Sequence, residues 1–471
     1  MGKAAHCCSL NRTILLLKEH RHQEAALLVA FFACNLTLVW GQSASIRPEA
    51  QPVASLADSL TRADNTQLHI FYVHGMAADG PGNSDSEVLR RSICKFLRDC
   101  TSTEGQFDGR EYADKHTFAL NAPSPQLSYL GEQIWKSKQS GNPSEEWNAS
   151  APFVDHWKLV RNSRPTIYVD EINWWPLVFA VKCRQIIAKD APLVGPSAAY
   201  IDRCSSSKPD LNNPGRFLSY SWIEDADAKQ LKAMPARGAL INRSLKNSVL
   251  DWGFSDAVLA VGPMRTLLLE SIRQLVLKSV NVAADGSRGD ASGPLPNQEF
   301  VIVSHSLGSY LIFSALDLDL TELGTSAMQA WKEKFENILS HTSMVYFFAN
   351  QLRLLELANL DVMTNQSMID HLEAWGQLRR TYLASLIVST HNNLIPPQIV
   401  AWSDPSDLLS WDVPELKTVV VKNWSVKNST HWLWLFESPT GAHDNYAINK
   451  RVIRVMLKPT RNNQTQQGNR K

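Results

Sequence analysis

Phe300-Val301-Ile302-Val303-Ser304-His305-Ser306-Leu307-Gly308-Ser309-Tyr310-Leu311-Ile312 decides the reading of this 471-residue chain. The run from Phe300 to Val303 is apolar without alternation, the pattern of a central parallel strand covered by helices on both faces. A second apolar run, Tyr310 to Leu316, begins just beyond Gly308. The segment between them has room only for a sharp strand-to-helix turn, with Ser306 at its apex. A serine hydroxyl becomes a nucleophile when a base takes its proton, so it must stand clear of the sheet within reach of a histidine. The turn needs small side chains two residues either side of the apex, and Ser304 and Gly308 occupy those places. Ser304 departs from the usual Gly-x-Ser-x-Gly by adding a Cβ where the turn is crowded.

Working outward, apolar strands are predicted at 68–73, 166–169, 344–348, 399–402 and 418–421. Helices are predicted at about 87–97, 259–280 and 445–457, the last with Asp444 as its N-cap. The stretch from 101 to 164 is polar and irregular. Residues 177–255 read as helical pieces broken by proline and glycine, which suggests an insertion or cap before the serine turn. Strands alternating with helices predict an α/β fold: a mostly parallel sheet with helices on both faces, spanning residues 65–457. Residues 45–64 read as a linker, and 458–471 as a polar, disordered tail.

A formal net charge of +1 leaves no basic excess to neutralise phosphates, so no nucleic-acid partner is expected. Residues 1–44 read as a targeting segment: Lys3, Arg12, Lys18 and Arg21 precede an uncharged run from Ala25 to Trp40, then small residues. This predicts an exported protein, with the segment either cleaved as a signal peptide or retained as an anchor that contacts the membrane. Beyond the leader lie Cys94, Cys100, Cys183 and Cys204, an even set compatible with two disulfides in three possible connectivities. Their spacing has no Cys-x-x-Cys pair, so zinc is not expected.

The candidate chemistry falls at the carboxyl ends of three predicted strands, the edge where open α/β sheets hold their ligands. Ser306, Asp407 and His443 follow in the chain order Ser, Asp, His. Asp404 is the alternative acid, and His431 is the main rival to His443. His74 and His305 read as structural, one shaping the loop after the first strand, the other facing away from the nucleophile. Trp174-Trp175 reads as packing.

With these motifs in place, the chain resembles α/β-hydrolases of the esterase/lipase type. The resemblance rests on His74-Gly75-Met76, Ser304-His305-Ser306-Leu307-Gly308, Asp404-Pro405-Ser406-Asp407 and His443, and covers about residues 66–457. It implies Ser306 as nucleophile, His443 as general base and then acid, and Asp407 as the orienting acid. It also implies an oxyanion hole from the backbone N–H groups of Met76 and Leu307. The expected reaction is hydrolysis of a small-molecule or lipid ester through an acyl-enzyme, with no cofactor and no metal. Thioester or amide cleavage, acyl transfer, and an inactive binding protein on the same fold remain open.

Overall fold

The computed structural model describes residues 54–61, 67–76, 85–97, 114–119, 152–159, 167–185, 253–262, 264–280, 298–316, 326–357, 367–387, 395–428 and 439–458. The leader, the 459–471 tail, and most of the predicted insertion (186–252) lie outside these residues, as do His431, Cys100 and Cys204.

The described strands are β1 (Gln67–Val73), β2 (Asp114–Ala119), β3 (Phe153–Leu159), β4 (Ile167–Asn173), β5 (Gln298–His305), β6 (Thr342–Phe348), β7 (Gln398–Ser403) and β8 (Val420–Ser425). They form one sheet in the order β2-β3-β4-β1-β5-β6-β7-β8. All pairings from β4 across to β8 are parallel, whereas β3 runs antiparallel to β4 and β2 antiparallel to β3. The parallel strands that sequence predicts are present. β5 lies between β1 and β6, so its carboxyl end has a neighbouring strand end on each side.

Helices cover both faces, as a sheet buried on two sides requires. One face packs against α3 (Trp175–Gln185), α4 (Ser255–Val261), α5 (Arg265–Val280), α6 (Leu307–Ala315), α7 (Ser326–His341), α8 (Leu352–Glu356) and α9 (Met368–Ile387). Phe71, Phe300, Ile302, Val345 and Phe347 meet Leu268, Ile272, Leu311, Ile338 and Trp375 there. The other face carries α1 (Leu56–Leu60), α2 (Asp85–Leu97) and α11 (Lys450–Met456), which place Leu56, Leu89, Ile93, Val452 and Met456 against Tyr72, Val303, Tyr346 and Trp402. Each such large side chain contributes about 1.5–3 kcal/mol by leaving water. Between β8 and α11 lies the short α10 (Pro439–Asp444).

Several expectations need correction. Strands β2 and β3 fall in the stretch read as irregular. Polar residues conceal β3, among them His156, whose partner comes from β4: it lies directly opposite Asp170 and donates to it across 2.5 Å. Residues 56–60, read as linker, form α1. Ser55 N–H donates to Asp58 Oδ2 at 2.7 Å as a local cap, and Gln398 Nε2 donates to the Ala54 carbonyl at 2.8 Å. Residues 177–185 belong to α3, with Leu177 and Val178 in the core, so the insertion does not begin at 177. The predicted 259–280 helix is two helices. Gly262 is extended at φ −85°, ψ −167°, as suits a residue before proline. The predicted 445–457 helix is shorter, with Asn449 rather than Asp444 as its N-cap: the Asn449 side chain accepts from Arg451 N–H.

Cys94 is buried on α2, while the other cysteine side chains lie outside the described residues. Among the described residues, no helix is long and apolar enough to cross a membrane.

Candidate active site

At the end of β5 the chain turns sharply into α6, and Ser306 adopts φ 53°, ψ −124°. Positive φ costs a non-glycine residue about 1–3 kcal/mol, so surrounding contacts must enforce it. Two of them do: Ser306 N–H donates to the Phe348 carbonyl at 2.7 Å, and Ser309 N–H to the Ser306 carbonyl at 3.0 Å. Ala349, next to Phe348, is the other non-glycine residue at positive φ among the described residues. The Ser304 side chain is buried, its Oγ 3.4 Å from Ser309 Oγ, so the departure from glycine is accommodated.

Two glycines bring the neighbouring loop this close. A Cβ on Gly308 would lie 2.5 Å from the His74 carbonyl and nearer still to that of Val73. Only a residue without a side chain lets α6 start against the end of β1. A Cβ on Gly75 would stand 2.8 Å from Ser306 Cβ and 3.1 Å from His305 Nδ1.

His443 sits near the end of α10, and its Nε2 lies 2.7 Å from Ser306 Oγ. Its Nδ1 lies 2.9 and 3.0 Å from the two carboxylate oxygens of Asp407. Nδ1–H donating to Asp407 leaves Nε2 as the acceptor for the serine proton. Ser306 is fully buried and Asp407 nearly so, which strengthens these interactions relative to water. The structure therefore aligns Ser306, His443 and Asp407 in one hydrogen-bonded line.

Asp404 is not part of that line. Its Oδ1 accepts from Ser406 N–H at 2.8 Å and its Oδ2 from Asn428 N–H at 2.6 Å, which fixes the loop after β7 and the segment after β8. Asp407 also accepts the Leu409 N–H at 2.9 Å. The Tyr446 hydroxyl, unnoticed in the sequence, bridges the two acids: it accepts the Asp404 N–H at 2.6 Å and donates to Asp407 Oδ2 at 3.1 Å. Burial, and then the neighbouring Asp407 carboxylate, raise the Tyr446 pKa and keep the phenol protonated as a donor. Tyr446 lies three positions after His443, and that spacing was the only signal available in the sequence.

The loop of His74, Gly75 and Met76 abuts the serine. Trp174 Nε1–H donates to the His74 carbonyl at 3.1 Å, and the indole stacks on the imidazole with ring centroids 4.9 Å apart. Trp174 thus clamps this loop from the end of β4. His74 Nδ1–H donates to the Gly75 carbonyl at 2.9 Å. Burial lowers its pKa to about 4, so the ring is neutral at physiological pH. Leu307 opens α6, where the first N–H groups of a helix have no partner within it. Met76 is partly buried beside the same core.

Among the described residues, His305, His443 and Asp444 hold ligand atoms within 4.8 Å of one another. Both nitrogens of His443 are already hydrogen-bonded, and His305 Nε2 donates to the His443 carbonyl.

Comparison with family models, curated proteins and solved structures returns no match for this chain.

Proposed function

We propose that this chain is a serine hydrolase of carboxylic esters with the α/β-hydrolase architecture. One observation carries the reading: Ser306 Oγ lies 2.7 Å from His443 Nε2, whose opposite nitrogen bonds Asp407. His443 takes the Ser306 proton as Oγ attacks the ester carbonyl. The tetrahedral oxyanion rests on the Met76 and Leu307 N–H groups, each worth about 3 kcal/mol to the transition state. His443 then protonates the departing alcohol, leaving an acyl group on Ser306. Water, deprotonated by His443, attacks that acyl carbon, and Ser306 Oγ leaves with the proton. Asp407 holds the imidazole in the productive tautomer and stabilises it when charged.

The substrate is a small-molecule or lipid ester, and the protein is exported, either cleaved from its leader or tethered by it. The cysteines beyond the leader are proposed to pair in disulfides. Treatment of the full chain with a fluorophosphonate, followed by peptide mapping, tests the reading. Modification of Ser306 and its loss in Ser306→Ala are expected. Folded protein that never labels overturns hydrolysis in favour of a binding role. Chromogenic esters run beside thioesters and amides assign the scissile bond.

A further inference from the structure

We infer that His305 is a positioning residue for the proposed base, holding the helix that carries His443 onto the nucleophile strand; this rests on the reading of His443 as base. His305 Nε2 lies 2.8 Å from the His443 backbone carbonyl. A carbonyl only accepts, so His305 carries its proton on Nε2. Carbonyls in the last turn of a helix have no partner within it, and those of Ala442 and His443 lie there in α10. Asn428 Nδ2 donates to the Ala442 carbonyl at 3.1 Å, while His305 donates to that of His443. Asn428 belongs to the segment after β8. His305 is the residue beside the nucleophile itself.

The link to the end of β5 and the turn after it therefore has two points. Ser306 meets the His443 ring at 2.7 Å, and His305 meets the His443 main chain at 2.8 Å. Fixing the main chain as well as the ring sets the distance and angle at which Nε2 addresses Oγ. The His305 ring is itself confined. Its Nδ1 borders the Gly75 Cα, its plane is tilted 36° to the His443 ring with centroids 5.3 Å apart, and Tyr446 lies beyond. Sequence reasoning placed this side chain away from the nucleophile. In the structure it turns toward the base. Misplacement of a reacting group by 1 Å costs about 10²-fold in rate.

The test compares labelling of the full-length wild type, His305→Phe and His305→Gln by a fluorophosphonate, with melting curves and turnover of p-nitrophenyl butyrate. Phenylalanine keeps the ring volume without a donor. The glutamine Nε2–H can reach the same carbonyl. Expected results are labelling slowed about 10²-fold in His305→Phe, kcat reduced with KM retained, and recovery of most of that rate in His305→Gln. Wild-type rates in folded His305→Phe overturn the inference, as does a folded His305→Gln no faster than His305→Phe. If His305→Phe does not fold, His305→Met replaces it as the variant without a donor, under the same criteria. Wild type that never labels overturns the underlying reading and this inference together, whereas labelling that ignores residue 305 overturns this inference alone.

Discussion

Tyr446 donates its hydroxyl proton to Oδ2 of Asp407 across 3.1 Å, three residues beyond the histidine that the same carboxylate orients. The acid is therefore positioned from the helical end of the chain as well as from its own loop. Tyr446→Phe keeps the ring that stacks on Phe348 and removes this bridge. It leaves the Asp404 N–H without its acceptor, at a cost of about 1–2 kcal/mol in stability. Denaturant unfolding is expected to register that loss, and ester turnover to drop about tenfold, in line with one charge-assisted hydrogen bond.

The two candidate acids separate by substitution. Asp407→Asn permits the wrong imidazole tautomer and is expected to lower kcat about 10⁴-fold. Asp404→Asn removes one of two loop-fixing acceptors, with about 1–2 kcal/mol lost in unfolding and most activity retained. Steady-state kinetics giving the reverse ranking would reassign the acid. Ser306→Ala and His443→Ala should each abolish fluorophosphonate labelling.

Close approach at the turn yields a steric prediction. Gly75→Ala puts a methyl group 2.8 Å from Ser306 Cβ, so the serine or its loop must move. Labelling is expected to fall at least about 10²-fold, with less effect on the melting temperature. Gly308→Ala meets two backbone carbonyls that cannot yield and is expected to impair folding itself, seen as loss of soluble protein.

Acid sensitivity follows from His74. Its pKa is lowered by burial from 6.5 to about 4, so the unfolded chain binds the extra proton across that interval and the folded chain does not. The contribution is complete above pH 6.5 and is lost as pH falls toward 4, about 3 kcal/mol in all. His74→Asn keeps an N–H for the Gly75 carbonyl without titrating there. Its melting temperature should vary less between pH 6.5 and 4 than that of the wild type.

A second buried cluster, away from the serine, sets a lower limit. Burial pushes the Asp170 carboxyl up, but hydrogen bonds from His156 and His69 outweigh it and hold the pKa below 3.8. The stability that Asp170 provides is present above the ordinary carboxylate range and lost as pH falls through its depressed value. Asp170→Asn replaces one of the two carboxylate oxygens that two buried imidazole nitrogens share and should cost about 3 kcal/mol at neutral pH. Chemical denaturation measures it.

Much of this arrangement was legible because it is local. An unalternating apolar run before Ser306 encodes a buried parallel strand, and small residues around it encode the turn. Asp407 and His443 follow strands at the same edge, so chain order alone suggested the assembly. The rest depends on partners distant in sequence. β3 carries His156, whose burial makes sense only opposite Asp170. Choosing between Asp404 and Asp407 required knowing that Asn428 reaches the first and His443 the second. The His305 proton points at a carbonyl more than a hundred residues away, beyond anything that periodicity can express.

His443 lies C-terminal to every described strand, in a helix between β8 and α11. A ribosome that has released only the first 440 residues has made the hydroxyl and the carboxylate but no group to accept the proton. Reactivity would arise late in synthesis, when the closing segment docks, and a protein clipped upstream of that segment would be inert however well its sheet persists.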